Sequence, residues 1–259
     1  MPLNQSVMLP ALAANLEDKP AFVEQVASIG LVAIELLRVD DQFEELCDVA
    51  ARNGLRIAGM IGHTTLEAGL NNPANHDRIE SELQSSIDIA ARKNIPGLIC
   101  FSGNRIPGMD EEEAIANTAA GLGRAAPYAE EKGVTLNLEL LNSRVDHVGY
   151  QCDSTAWGVA VVERVGSPNV KLLYDIYHMQ IMEGDVIRTM LDNLDAIGHI
   201  HTAGNPGRQN LDDEQEIHYP GICRALAKAG YEGYIGHEFR PKGDPVAALR
   251  QAYERCKGD

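Results

Sequence analysis

Four residues in the second half of the chain could do chemistry together: Glu139, Asp175, His201 and Glu238. Each stands at or near the end of a short apolar run of strand length: Thr135 to Leu140, Val170 to Tyr174, Ile197 to Thr202 and Tyr234 to Glu238. A strand does not bury a charge without a reason. Three carboxylates and an imidazole brought to one point would repel one another unless a cation sat among them. Oxygen ligands with one nitrogen suit a hard or borderline divalent ion, Mn²⁺ or Mg²⁺ first, with Co²⁺ or Zn²⁺ also accommodated. No cysteine stands at these four ends, which argues against a structural zinc site. Taken singly, each residue has a plainer reading. A lone Glu there is a solvated rim residue, Asp175 caps a turn, and His178, three residues on, lies on the surface. The succession of four such ends favours a site.

The elements that must position these residues alternate along the whole chain. Strand-length runs also cover Ser6 to Leu9, Leu31 to Leu36, Arg56 to Ile61 and Gly97 to Phe101. Between the runs come helical patterns with start and stop signals. Asp18 and Pro20 open a helix carrying Phe22, Val23, Val26 and Ile29 on one face, and Gly30 ends it. Phe43, Leu46, Val49 and Ala50 mark the next, closed by Asn53-Gly54. Ile79, Leu83, Ile87 and Ala90 keep one face in the third. Asp110 to Lys132 reads as a long helix kinked at Pro127, and Asp153 as the cap of one carrying Trp157, Val161 and Val165. Ile187, Met190, Leu191 and Leu194 suggest a helix after the sixth strand, Pro220 to Ala229 one after the seventh, and Asp244-Pro245 the start of the last. Asn205 to His218 reads as a long polar loop.

Eight strands alternating with eight helices predict an α/β fold, a (β/α)8 TIM barrel spanning residues 1–259 as one domain. A doubly wound open sheet is the runner-up; it would need fewer strands and usually a Gly-rich phosphate turn, and neither GxGxxG nor GxxxxGK[ST] occurs. In a barrel, strands five to eight are neighbours, so the four ends meet on the rim where barrel active sites lie.

The formal net charge of -16 argues against nucleic acid or an anionic membrane as partner, and an anionic substrate would need a local basic pocket. Five cysteines, scattered and without a CxxC pair, fit a reducing compartment. No apolar run is long enough to span a bilayer, and the start of the chain lacks the pattern of a signal peptide, so a cytoplasmic protein is expected. Other residues were weighed for the site. Glu35 ends the second strand but would lie across the barrel. His63 lines a pocket or caps a loop. Arg240 and Lys242 meet an anion or form a solvated basic pair. The acidic run Asp110 to Glu113 complements a helix dipole, and Met179 with Met182 is packing.

Several motifs resemble the hydroxypyruvate isomerase family of the xylose-isomerase-like barrels. They are Tyr174-Asp-Ile-Tyr-His-Met-Gln with Met182-Glu-Gly-Asp185, Leu138-Glu-Leu-Leu-Asn-Ser-Arg144, Ile197-Gly-His-Ile-His201, Asn205-Pro-Gly-Arg208, Gly230-Tyr-Glu-Gly-Tyr-Ile-Gly-His-Glu238 and Arg240-Pro-Lys-Gly-Asp244. The match is specific over residues 134–245; earlier residues share only the barrel rhythm. The resemblance implies that Glu139, Asp175, His201 and Glu238 ligate a divalent metal, that Glu139 and Glu238 also transfer protons, and that His178 and Arg208 contact substrate. Two positions depart from it: His201 stands where hydroxypyruvate isomerases usually carry glutamine and epimerases histidine, and His218 replaces a typical asparagine.

The implied enzyme interconverts a small hydroxy-aldehyde and hydroxy-ketone, on a sugar or oxo-acid substrate, in a chain that can self-associate as a homo-oligomer. A sugar 3-epimerase, or a dehydratase of the inosose type, would use the same first proton abstraction. An apurinic endonuclease would need more ligands and a basic surface. A non-catalytic sugar-binding protein would tolerate losing one glutamate, and both are present.

Overall fold

The computed structural model describes residues 2–258, in which eight parallel strands close into a barrel in chain order. The strands are β1 (Asn4–Met8), β2 (Ala33–Glu35), β3 (Arg56–Ile61), β4 (Gly97–Cys100), β5 (Thr135–Glu139), β6 (Val170–Asp175), β7 (Ile197–Thr202) and β8 (Tyr234–His237). Around them run α1 (Leu9–Leu12), α2 (Lys19–Ile29), α3 (Phe43–Arg52), α4 (His76–Lys93), α5 (Glu111–Lys132), α6 (Thr155–Val165), α7 (Ile176–Met182), α8 (Val186–Asp192), α9 (Tyr219–Ala229) and α10 (Pro245–Arg255). The TIM barrel is the expected one.

The main core lies between barrel and helices. On α4, Ile79, Leu83, Ile87 and Ala90 form one fully buried stripe, as spacing of three and four residues requires on a helix face. Asp18, Asp110 and Asp244 each accept a hydrogen bond from the backbone N–H three residues on, the ordinary N-cap arrangement. Gly133 ends α5 at φ 69°, a left-handed conformation that a side chain would strain.

The long helix α5 is found as expected and continues through Pro127. Three local expectations need correction. Ser154, not Asp153, caps α6, while Asp153 bonds to Ser143 and Arg105. A helix, α7, begins directly after Asp175, where a turn was expected. On α8 the buried residues are Val186 and Met190, while Ile187 and Leu191 are exposed. The left-handed Asp185 at φ 47° precedes that helix, whose phase periodicity over so short a stretch cannot fix.

Register places the chemistry. Asp175 pairs with His201 across β6 and β7, and His201 pairs with Gly236 of β8. The Glu238 N–H continues that ladder by donating to the Thr202 carbonyl at 3.0 Å. Side chains two apart share a face of a strand; on β7 this puts His199 and His201 together inside the barrel. All five cysteines are buried and free. Among the described residues, no helix is long and apolar enough to cross a membrane.

Candidate active site

One ligand atom from each of Glu139, Asp175, His201 and Glu238 lies within 4.8 Å of the others. His201 Nδ1 is 3.1 Å from Glu238 Oε2 and 3.8 Å from Glu139 Oε1. The sequence places these residues at one rim, and the structure brings all four together. Asp175 does two jobs. Its Oδ1 accepts from the His178 N–H at 3.2 Å and caps α7, a helix in place of the expected turn. Its Oδ2 is buried without a hydrogen bond, and so is His201 Nδ1.

Such orphaned atoms are costly. Burial pushes the Asp175 carboxyl up to about 7, with Glu238 and Glu139 adding to the rise and Arg208 opposing it. For Glu238, burial raises the carboxyl too, but Arg208 and His201 outweigh it and hold the group well below the usual carboxylate range. Three carboxylate oxygens and one imidazole nitrogen, two of them buried without a hydrogen bond, fit a divalent cation of the hard or borderline kind.

His201 is held from behind by Glu35. Its Nε2 lies 2.9 Å from Glu35 Oε2, and His199 Nε2 lies 3.1 Å from the same oxygen. Ser6 Oγ donates to the other oxygen at 2.6 Å. A carboxylate only accepts, so Nε2 of His201 carries a proton and the Nδ1 lone pair is left for the ligand set when the ring is neutral. Burial works to lower the His201 pKa, but Glu35, Glu139 and Glu238 carry it well above the ordinary value. Glu35, expected across the barrel, sits inside it directly against β7. Glu35 has room here because β8 contributes Gly236: a Cβ on Gly236 would lie 2.1 Å from Glu35 Oε1. His199 and Ser6 were not anticipated. The signal for His199 was available, since two histidines at spacing two on one strand share a face.

His178 is fully buried rather than superficial. Asn142 Oδ1 accepts from the Val145 and Asp146 N–H groups, which fixes its amide so that Nδ2 donates to His178 Nδ1 at 2.6 Å. The proton of the ring is then on Nε2, 3.6 Å from Asp175 Oδ2. Burial first, then Arg208, holds His178 well below its ordinary pKa, so it is neutral. Arg208 Nη2 donates to Glu238 Oε2 at 2.7 Å and lies 3.9 Å from Asp175 Oδ2. Both expected substrate contacts therefore border the carboxylate cluster.

The loop carrying Arg208 is less free than its polarity suggests: Leu211 and Ile217 are buried, and Lys242 bonds to Asp212 and Glu214. His218 is exposed on it. His63 is buried apart from the cluster, its Nε2 accepting from the Phe101 N–H at 3.0 Å. Beside the cluster a cavity of about 580 Å³ has Leu12, Leu37, Arg208, Glu238, Phe239 and Arg240 among its walls.

A family model described as "Xylose isomerase-like TIM barrel" matches residues 23–257. The chain is 28% identical to the hydroxypyruvate isomerase of Escherichia coli K12, over 90% of this chain and 92% of that one. It is 37% identical over 140 residues to the 2-oxo-tetronate isomerase of Cupriavidus necator, covering 54% of this chain and 53% of that one. Among solved structures, one titled AP endonuclease, family 2, from Brucella melitensis superposes with a TM-score of 0.81 at 22% identity, covering 96% and 97% of the two chains; at that identity only the fold is shared knowledge.

Proposed function

The chain belongs to the xylose isomerase-like TIM-barrel family, and we propose that it is a divalent-metal-dependent isomerase interconverting a small hydroxy-ketone and hydroxy-aldehyde. The observation that carries this reading is the placement of Glu139 and Glu238. They come from strands three places apart on the rim, yet their oxygens approach the same His201 Nδ1 at 3.8 and 3.1 Å. A substrate bound between them would offer one face of its reacting carbons to each carboxylate.

Glu139, Asp175, His201 and Glu238 would hold the metal. When bound, it would supply positive charge to the substrate's carbonyl and neighbouring hydroxyl oxygens. The protein's own groups do the rest. One glutamate takes the proton from the hydroxyl-bearing carbon, giving an enediolate. The other, or the same one, returns a proton to the former carbonyl carbon, while the hydroxyl proton passes to the former carbonyl oxygen. The positive charge of Arg208 keeps Glu238 ionised at neutral pH, in the form that accepts a proton. The Nε2–H of His178 and the guanidinium of Arg208 border the cluster as donors for substrate oxygens. Burial of Glu139, Asp175 and His201 limits water around the exchanging proton. Five free, buried thiols support a cytoplasmic setting.

A second reading is 3-epimerisation on the same site. It is favoured by His201 standing where glutamine would mark a hydroxypyruvate isomerase. A panel of hydroxypyruvate, short neutral ketoses and inososes, assayed with Mn²⁺ and with product analysis, separates isomerase, epimerase and dehydratase. The proposal expects an aldose–ketose product, lost on chelation and restored by Mn²⁺. Metal-independent turnover, or none with any member of the panel, would overturn it.

A further inference from the structure

Three side chains hold the buried ring of His178, one of the two donors that border the carboxylate cluster. Asn142 Nδ2 donates to its Nδ1 at 2.6 Å. The Tyr177 ring stands edge-on to it with centroids 5.1 Å apart, and the His147 ring does the same from 5.2 Å. One carboxylate is joined to all three. Asp146 Oδ2 accepts from Asn142 Nδ2 at 2.6 Å and from the Tyr177 hydroxyl at 2.8 Å, and Asp146 is the chain neighbour of His147. The bond to Tyr177 leaves the loop that follows β5 and lands on α7, the helix that carries His178. The Tyr177 ring also meets the second donor: the Arg208 guanidinium carbon lies 5.9 Å from its centroid.

Apolar packing does little to hold this loop at that point, since Val145 and Val148 are both exposed. Hydrogen bonds do the work, and they converge on the fully buried Asn142. Its two Nδ2 protons go to Asp146 Oδ2 and His178 Nδ1, and its Oδ1 takes the N–H groups of Val145 and Asp146. That fills the donor and acceptor capacity of the amide. Without the Asp146 carboxylate a buried N–H loses its acceptor, and the amide loses the charge-assisted bond that orients it. Rotation of the amide then costs less, and with it goes the donor that holds His178 Nδ1.

From this arrangement we infer that Asp146 is a positioning residue for His178: its carboxylate ties the loop after β5 to α7 and fixes the place and orientation of the ring. The inference deepens the proposed isomerase reading and rests on it for the role of His178 as a substrate donor. Asp146 is not one of the four clustered residues, so metal affinity should not follow it.

The test uses Mn²⁺-loaded wild type, Asp146→Ala, Asp146→Asn, His178→Ala and the double variant of Asp146→Ala with His178→Ala, assayed with hydroxypyruvate and the short neutral ketoses. Asp146→Ala should lose about 10- to 100-fold in kcat/KM, the scale of a misplacement of about 1 Å, with Mn²⁺ affinity unchanged. Asp146→Asn keeps the shape and a neutral acceptor and should recover part of the loss. In the double variant the Asp146 change should add nothing to the effect of His178→Ala, because residues acting through one group are not additive. Additive losses, or wild-type kinetics in Asp146→Ala, would overturn the inference and leave the isomerase reading standing. If wild type turns over no substrate, that reading fails, and NMR of protein labelled at its histidine ring nitrogens decides the role of Asp146 without catalysis. The His178 resonances, assigned by their loss in His178→Ala, should shift or average in Asp146→Ala while those of His63 and His237 stay in place. Unchanged His178 resonances refute the inference. Where Asp146→Ala moves all of them it has lost the fold, and Tyr177→Phe, which removes one oxygen and keeps the ring, carries the same comparison.

Discussion

Glu35→Gln is the perturbation that asks most of this structure, because Glu35 touches no substrate in the account and yet fixes His201. The carboxylate accepts from Ser6 at 2.6 Å, while its Oε2 faces His201 at 2.9 Å and His199 at 3.1 Å. The amide keeps the shape but loses the charge. A hydrogen bond to a charged group contributes about 1.5–3 kcal/mol and a neutral one about 0.5–1.5 kcal/mol, so the His201 hydrogen bond weakens by about 1–1.5 kcal/mol. Only the His201 contact feeds directly into the ligand set. Loss of such a supporting partner typically lowers metal affinity 10- to 100-fold, which is about 1.4–2.7 kcal/mol. The variant should therefore fold, as judged by circular dichroism and a cooperative thermal transition, and bind Mn²⁺ 10- to 100-fold more weakly by calorimetry. Glu35→Ala should in addition lose about 3–5 kcal/mol of stability, since it strips a buried charge from its partners. Wild-type Mn²⁺ affinity in a folded Glu35→Gln protein would refute the claim that this carboxylate orients the ligand imidazole.

Gly236→Ala should reproduce the loss of Mn²⁺ affinity without removing any polar atom. Its Cβ would fall 2.1 Å from Glu35 Oε1 and 2.8 Å from His201 Cδ2, and overpacking of this kind costs about 1–3 kcal/mol; unaltered affinity would show that the barrel interior has slack there. His63 offers a pH test away from the metal. Burial lowers its pKa to about 4, below the value it regains on unfolding, so it stabilises the fold fully above pH 6.5 and progressively less as pH falls toward 4. The full difference is about 3 kcal/mol at 1.36 kcal/mol per pH unit. Urea unfolding of wild type and His63→Gln should give stabilities that converge as pH falls through that window, and parallel curves would remove His63 as the source.

The barrel and the four-residue cluster were legible in the sequence for one reason. Each of Glu139, Asp175, His201 and Glu238 ends a strand, and strands five to eight are consecutive, so order along the chain becomes order around the rim. What was hidden depends on distances across the barrel. Glu35 is on β2 and His201 on β7; only the closed sheet, with room left by Gly236, brings them into contact. His178 looked superficial because α7 starts at once after β6, and the turn that buries its ring against Asn142 leaves no periodic signature. The phase of α8 was misread because its seven residues carry too short a periodic signal. Arg240 and Lys242 cannot be told apart by sequence; the acidic partners that engage Lys242 lie 28 and 30 residues away, on the loop after β7.

Proton transfer between Glu139 and Glu238 is the centre of the account, and one measurement reaches it directly. Wild type, Glu139→Gln and Glu238→Gln are loaded with Mn²⁺, their metal content is verified, and each converts substrate in heavy water. The wild type should place deuterium on the carbon that receives the proton. Each variant should retain metal through its amide oxygen yet lose about 100-fold or more in both turnover and deuterium incorporation, the usual scale for deleting a general acid or base. Near wild-type turnover in either metal-loaded variant, with deuterium still incorporated, would show that this glutamate does not move the proton.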